Sequence, residues 1–149
     1  MGLIADLGRG PVGLDTVVFI YFIEEHPRFL PVVAPVFSAV AGARLPAITS
    51  GVTLLETLVI PYRSGNAALA ARYETLLTRS RGIRFVDLDR RLLRSAAHLR
   101  ALFSVRTPDA LQLAAALSGG CSAYLTNDRS LPRIPGLKIL QVNDYAGTP

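Results

Sequence analysis

Four carboxylate side chains are the residues of this sequence best suited to chemistry: Asp15, Glu56, Asp109 and Asp128. Carboxylates that converge repel one another and raise each other's pKa values unless a cation lies among them. Their ligand atoms are all oxygens and no cysteine–histidine set accompanies them, which favours Mg²⁺, or Mn²⁺, over zinc. Such an ion commonly polarises a phosphoryl oxygen and lowers the pKa of an attacking water. If the four side chains meet, the sequence therefore predicts hydrolysis of a phosphodiester.

Asp109 falls in the first turn of a helix predicted for residues 105–117, VRTPDALQLAAAL. Thr107 is a suitable N-cap, and Pro108 suits the first helical position, where its missing N–H costs nothing. The residues that follow are apolar on nearly every side, which is typical of a helix in a protein interior. The helix dipole favours a carboxylate in the first turn by about 0.3–1 kcal/mol. Asp109 is therefore either a dipole-stabilising residue alone or an ionised ligand at the mouth of a buried helix.

Glu56 is predicted on an apolar helix that spans residues 52–60 and is ended by Pro61. Its neighbours three and four positions away are apolar except for one threonine, so an unpaired charge there would be expensive. No lysine or arginine lies between Arg44 and Arg63. The sequence therefore predicts that a metal ion, or an arginine from elsewhere in the fold, neutralises Glu56.

Asp15 ends the strand predicted for residues 12–15, and Asp128 lies just past the strand predicted for residues 122–126. Each has a purely structural alternative. Asp15 could only cap the next helix, and Asp128 could only belong to an ordinary Asn-Asp turn. Thr16 and Thr126 stand beside them and could orient an attacking water. The residues alone leave these alternatives open.

The elements that must position these acids alternate between strands and helices. Further strands are predicted at 46–50, 83–86 and 137–142, and helices at 66–80, at 89–104 and from about Pro35 onwards. Residues 17–23 are apolar throughout, so periodicity does not decide between helix and strand, and their polar end favours helix. This alternation predicts an α/β fold with a parallel sheet covered on both faces. Ligands of such sheets bind at the carboxyl ends of the strands, and all four acids map to that edge.

Composition predicts one domain, because 149 residues suffice for a single core and 50% of them are apolar. Residues 12–142 form the predicted domain, between a flexible leader (1–11) and a frayed tail (143–149). No apolar run reaches the roughly 18 residues of a membrane span. No secretory signal opens the chain, and its one cysteine fits a reducing compartment, so a cytoplasmic protein is expected. The surplus of apolar residues suggests an oligomer or partner interface.

The net charge is +5, with fifteen arginines and one lysine. Seven of the arginines fall within the 22 residues 79–100: Arg79, Arg81, Arg84, Arg90, Arg91, Arg94 and Arg100. Such a run is either a solvated face or a surface that contacts a polyanion.

The acids lie in four short motifs whose order resembles that of PIN-domain ribonucleases, and within these the VapC-type toxins of toxin–antitoxin pairs. The motifs are Leu14-Asp15-Thr16, Thr53-Leu54-Leu55-Glu56, Pro108-Asp109-Ala110-Leu111-Gln112-Leu113-Ala114 and Leu125-Thr126-Asn127-Asp128. The resemblance covers roughly residues 12–142. It implies a compact single-domain α/β/α sandwich with a mostly parallel sheet, and it assigns residues 17–23 to a helix.

The same resemblance implies a Mg²⁺-dependent endoribonuclease that forms a homodimer and pairs with a VapB-type antitoxin that blocks the acidic pocket. By position, Asp15 and Asp109 would be the principal metal ligands. Glu56 would support the metal or act on the water, and Asp128 would complete the quartet or hold a second ion.

The RNA target stays open among transfer, ribosomal and messenger RNA. A non-catalytic PIN-like RNA-binding or scaffold protein is the alternative. Phosphoryl transfer on an aspartate is disfavoured, because Val17 stands where a second acid would be needed.

Overall fold

The computed structural model describes residues 2–147, and within them five parallel strands form one sheet in the order β3-β2-β1-β4-β5. The strands are β1 (Val12–Leu14), β2 (Ala47–Ser50), β3 (Ile83–Val86), β4 (Ala123–Thr126) and β5 (Lys138–Gln141). The central strand β1 pairs with β2 on one side and with β4 on the other. The predicted parallel sheet is therefore confirmed, and every strand ends at the same edge.

Seven α-helices of the described chain cover the sheet. They are α1 (Leu3–Leu7), α2 (Thr16–Ile23), α3 (Leu30–Ala41), α4 (Gly51–Arg63), α5 (Ala67–Arg79), α6 (Arg90–Leu102) and α7 (Thr107–Ser118). Two predicted caps are present: Asn66 accepts from the Leu69 amide at 3.0 Å, and Asp89 accepts from the Leu92 amide at 2.9 Å. None of the helices among residues 2–147 combines the length and the apolar character that a bilayer-spanning helix needs.

The core lies in two layers, one on each face of the sheet, because successive residues of a strand point to opposite faces. Leu14 and Leu125 pack with residues of α1, α2 and α3 on one face. Ile48 and Tyr124 pack with α6 and α7 on the other. The molecule is therefore the expected α/β/α sandwich.

Residues predicted as a flexible leader form α1 instead. Leu3 and Leu7, one helical turn apart, are 7% and 1% exposed and belong to the first core layer. The backbone carbonyl of Asp6 accepts from Lys138 Nζ at 2.8 Å, and its carboxylate accepts from the Tyr145 hydroxyl at 2.5 Å. Tyr145 lies in a 3₁₀-helix, Val142–Tyr145, so the first residues of the predicted frayed tail are ordered as well. Met1 and residues 148–149 of these two segments lie outside the described residues.

Two helices extend beyond the prolines at which the sequence predicts that they begin or end. Helix α3 begins at Leu30 rather than near Pro35, with Pro31 in the first turn, where a missing N–H costs nothing. Helix α4 continues through Pro61 to Arg63, only two residues further. One intrahelical hydrogen bond is lost at Pro61, and the short remainder of the helix tolerates that loss.

Candidate functional site

Asp15 occupies the junction between the central strand β1 and helix α2. Its amide donates to the Leu125 carbonyl at 3.0 Å, so the residue still belongs to the edge of the sheet. Its Oδ1 accepts from the Thr16 amide at 2.7 Å, which makes it the N-cap of α2. Its Oδ2 accepts from the Thr126 hydroxyl at 2.7 Å. The capping role is therefore present, and the same contacts fix both carboxylate oxygens at the carboxyl edge of the sheet.

Glu56 lies on α4, but the environment predicted for it is wrong. The buried side of α4 consists of Val52, Thr53, Thr57 and Pro61. Its apolar neighbours Leu55 and Ile60 are 63% and 67% exposed, and Glu56 is exposed with them. Burial therefore does not force a cation onto Glu56. Its position is defined by another contact: Oε1 accepts from the Thr16 hydroxyl at 2.6 Å, which ties α4 to the residue next to Asp15.

Helix α7 presents Asp109 in its first turn, and residues 110–116 of that helix are all buried, as predicted. The predicted cap is one residue off. Arg106 is the N-cap residue, and Thr107 is the first helical residue. The Thr107 hydroxyl accepts from Arg100 Nη1 at 2.9 Å, so it interacts with α6 instead of capping α7.

The pKa of Asp109 is affected by the charges of the other three acids. Partial burial raises the pKa of this carboxyl, and the negative charges of Asp15, Asp128 and Glu56 raise it further. Arg106 opposes them, with Nε 3.7 Å from Asp109 Oδ2. The Arg106 side chain is 83% exposed, however, and such exposed ion pairs contribute only about 0–1 kcal/mol. Asp109 therefore lies in a region of net negative potential.

Asp128 follows β4 in a tight turn, as one of its two alternatives predicted. Its Oδ1 accepts from the amide and the hydroxyl of Ser130 at 2.9 and 2.6 Å, and these two bonds lower its pKa. Its own amide donates to the Thr126 hydroxyl at 3.1 Å. The turn holds Asp128 ionised and close enough to act on Asp109.

Sequence reasoning missed the buried polar residues beneath the acids. Gln112 and Thr53 are 3% and 0% exposed, and Thr16, which was singled out only as a possible water-orienting residue, is 6% exposed. All three hydrogen-bond to one another. The one signal in the sequence that could have indicated them is Gln112, a glutamine within the otherwise apolar helix α7. The hydroxyls of Thr16 and Thr126 donate to carboxylates, so they hold the acids rather than stand free for water.

The donor set fits a hydrated Mg²⁺ rather than a protein cage. Among residues 2–147, no three side chains of the His, Cys, Asp and Glu types converge closely enough to hold one ion together. Mg²⁺ usually keeps several waters and takes only one or two carboxylates from the protein. Asp15 and Asp109 carry carboxylate oxygens, the donor atoms that such an ion would take, and a cation would relieve the repulsion acting on Asp109.

The comparisons with known proteins agree with this architecture. The family model described as PIN domain matches residues 12–137. No curated protein sequence matches the chain. The fold is similar to that of VapBC2 from Rickettsia felis bound to a promoter DNA fragment (17% identity, TM-score 0.67, covering 87% of this chain and 97% of that one).

Two further solved structures share the fold. DNA-bound VapBC from Salmonella typhimurium is 22% identical, with a TM-score of 0.61 and coverage of 88% of this chain and 97% of that one. VapC20 from Mycobacterium tuberculosis, described as a toxin that cleaves the sarcin–ricin loop, is 15% identical, with a TM-score of 0.63 and coverage of 80% and 91%. Together with the site on the carboxyl edge, the family match leads to one conclusion: the chain belongs to the PIN-domain family.

Proposed function

We propose that this protein is a Mg²⁺-dependent endoribonuclease that hydrolyses RNA phosphodiester bonds and acts as the toxin of a toxin–antitoxin pair in the cytoplasm. The observation that carries the proposal is that hydrogen bonds to Thr16 and Thr126 connect Asp15 with Glu56 and Asp128 at the carboxyl edge of the sheet. Asp109 opens α7 at the same edge, and the charges of the other three acids raise its pKa. A PIN domain that used these residues only for capping and turns would have no need to gather four acids at one edge. Gathering them is unfavourable without a cation.

In this proposal Asp15 and Asp109 are the principal ligands, and Mn²⁺ substitutes for Mg²⁺. When bound, the ion supplies polarisation of a phosphoryl oxygen and a lowered pKa for water. The protein's own part is positioning. Thr126 holds Asp15 Oδ2 at 2.7 Å, and Thr16 holds Glu56 Oε1 at 2.6 Å. Glu56, the most exposed of the four, is placed to accept a proton from an attacking water, and Asp128 adds negative charge that favours a second cation.

The assignment as a toxin draws support from the structures that share the fold. Two of them are VapBC structures, and a third is described as a toxin that cleaves the sarcin–ricin loop. We infer a VapB-type antitoxin as partner and a homodimer as the assembled form. Exposed apolar side chains suit such interfaces. They are concentrated on α4 and α6, at Leu55, Val59, Ile60, Tyr62, Leu93 and Leu102.

Cleavage of purified transfer, ribosomal and messenger RNA in Mg²⁺ tests the nuclease. We expect fragments that disappear in EDTA and in the variants Asp15→Ala and Asp109→Ala. Glu74→Ala is the matched control, because Glu74 is an exposed acid on α5 and is not among the four acids assigned to the site. Cleavage that survives in EDTA or in either site variant would contradict the proposal. RNA binding without cleavage by the wild-type protein would favour the non-catalytic binding or scaffold function.

A further inference from the structure

A buried hydrogen-bond network lies beneath the acidic edge, with the Gln112 amide at its centre. Gln112 is 3% exposed and projects from α7, whose neighbouring residues are apolar. Its Oε1 accepts from the Ser50 hydroxyl at 2.6 Å. Its Nε2 donates to Thr53 Oγ1 at 2.7 Å and to Thr16 Oγ1 at 3.3 Å. One side chain therefore connects α7 with the end of β2, with α4 and with α2.

The donor and acceptor ends of the Gln112 amide restrict where the hydroxyl protons of this network can point. The Nε2 group can only donate, so the hydroxyls of Thr16 and Thr53 must accept from it. A threonine hydroxyl has a single proton, and Thr16 is left to give its own to Glu56 Oε1, at 2.6 Å. The Thr16 proton does not turn towards Thr53, 3.2 Å away, because Gln112 Nε2 and the Thr49 hydroxyl already donate to Thr53 Oγ1, at 2.7 and 2.8 Å, and fill its two lone pairs. Without Gln112, one of those lone pairs would be free to accept the Thr16 proton.

The same amide also reaches the second carboxylate. Gln112 Nε2 lies 3.5 Å from Asp15 Oδ1, at the outer limit of a hydrogen bond. Burying an amide in an apolar helix is unfavourable unless its polar atoms are paired. A leucine would serve the packing of α7 without that cost. The position of the amide is therefore explained by what it orients and not by the core.

We propose that Gln112 is a positioning residue that orders Glu56 and Asp15 for a divalent cation by fixing the direction of the Thr16 and Thr53 hydroxyl bonds. The proposal rests on the proposed function, in which Asp15 is a principal ligand of the ion and Glu56 lies beside it and acts on the attacking water. Gln112 itself touches neither the ion nor the RNA.

The first experiment measures Mn²⁺ binding by titration calorimetry in the absence of RNA. Gln112→Met keeps the length of the side chain and removes both hydrogen-bonding ends. We expect its Mn²⁺ affinity to fall by about 10- to 100-fold, the usual loss when an outer hydrogen-bond partner of a metal ligand is removed. Unchanged affinity would overturn the proposal.

Thr57→Val is the matched control. Thr57 is buried on α4, and its hydroxyl donates to the backbone carbonyls of Thr53 and Leu54, outside the network. This variant also loses a buried hydroxyl bond, so we expect a comparable loss of thermal stability with unchanged Mn²⁺ affinity. If Thr57→Val weakened Mn²⁺ binding as much as Gln112→Met does, the effect would be general destabilisation and the proposal would fail.

A double-mutant cycle with Thr16→Val tests the route of the effect. If Gln112 acts through Thr16, the double variant binds Mn²⁺ little more weakly than either single variant does. Additive losses would mean that the two residues act independently, which contradicts the proposed direction of the network.

A metal-free crystal structure of Gln112→Met separates this proposal from the proposed function. We expect the hydrogen bond between Thr16 Oγ1 and Glu56 Oε1 to be broken in it. If wild-type protein binds no Mn²⁺ but this hydrogen bond is broken in the variant, the nuclease proposal and the purpose assigned to Gln112 both fail, and only the ordering of Glu56 by Gln112 stands. If the hydrogen bond persists in the variant, the positioning role is refuted whatever the metal does.

Discussion

Gly13, in the middle of β1, is the position where a single methyl group should be most costly. A Cβ atom there would lie 2.6 Å from Tyr124 Cδ1 and 2.8 Å from Ala116 Cβ. Carbon atoms pack at about 3.5–4.0 Å, so both contacts overlap by more than half an ångström. Tyr124 and Ala116 are 2% and 1% exposed, and neither has space to withdraw. The substitution Gly13→Ala must therefore separate β1 from β4 and α7.

Two opposing effects determine how much Gly13→Ala should change the free energy of unfolding. Overpacking of a well-packed core costs about 1–3 kcal/mol. The lower conformational entropy of the unfolded alanine chain returns about 0.4–1 kcal/mol. We therefore expect Gly13→Ala to lower the free energy of unfolding by about 1–2 kcal/mol, and the Tm by about 2–8 °C for a chain of this size. Because β1 leads directly into Asp15, its displacement should also weaken the hydrogen bond between Asp15 and Thr126.

Thermal unfolding followed by circular dichroism measures the effect, with Gly119→Ala as control. A Cβ atom at Gly119 would come even closer to a neighbour, 2.0 Å from Ile48 Cδ1. That atom is a terminal methyl group beside a crevice of about 320 Å³, so it can rotate away. We expect the smaller loss of Tm in Gly119→Ala. A Gly13→Ala variant as stable as wild type, or a larger loss in Gly119→Ala, would refute this reasoning.

Three further outcomes are expected from charge. Asp109→Asn should raise the Tm in EDTA, because it removes a negative charge that burial and the other acids disfavour. The same variant should show no rise in Tm when Mg²⁺ is added. A lower Tm of the variant in EDTA would contradict the first expectation. Burial and the hydrogen bond to Asp6 raise the pKa of Tyr145 from 10.0 to about 12, so its contribution to stability is complete below pH 10 and is lost as the pH rises to 12. Urea unfolding across that range should show the loss in wild type and a weaker pH dependence in Tyr145→Phe. Replacing Arg81 and Arg84 with alanine should flatten the salt dependence of RNA binding, by about 0.7 in the log–log slope for each phosphate that is no longer neutralised, and an unchanged slope in filter binding would exclude them from the RNA surface.

The sequence predicts the sheet well, because the alternation of strands and helices is a regular pattern. Strands that alternate with helices must run parallel, and Asp15 and Asp128 lie just beyond strands that end at one edge. The prediction for Glu56 failed because α4 is apolar on more than one side. Nothing in the sequence indicates that its threonine-rich side faces the core.

Two other features could not be predicted from the sequence either: the Gln112 hydrogen-bond network and helix α1. A glutamine in an apolar helix signals a buried partner, but its partners Ser50, Thr53 and Thr16 are 59 to 96 residues away in sequence. Contacts at that separation are set by tertiary packing. In α1, Leu3 and Leu7 are too few to show a periodic pattern, although the folded chain buries both.

The strand order β3-β2-β1-β4-β5 divides the acidic edge between two separate stretches of chain. Asp15 and Glu56 come from the part that ends with β3, whereas Asp109 and Asp128 come only with α7 and β4. During synthesis the part of the chain that ends with β3 therefore leaves the ribosome with only half of the carboxylates that the proposed nuclease uses. A chain divided between β3 and α6 would separate these carboxylates into two fragments, and RNA cleavage by the proposed nuclease would then measure their reassociation.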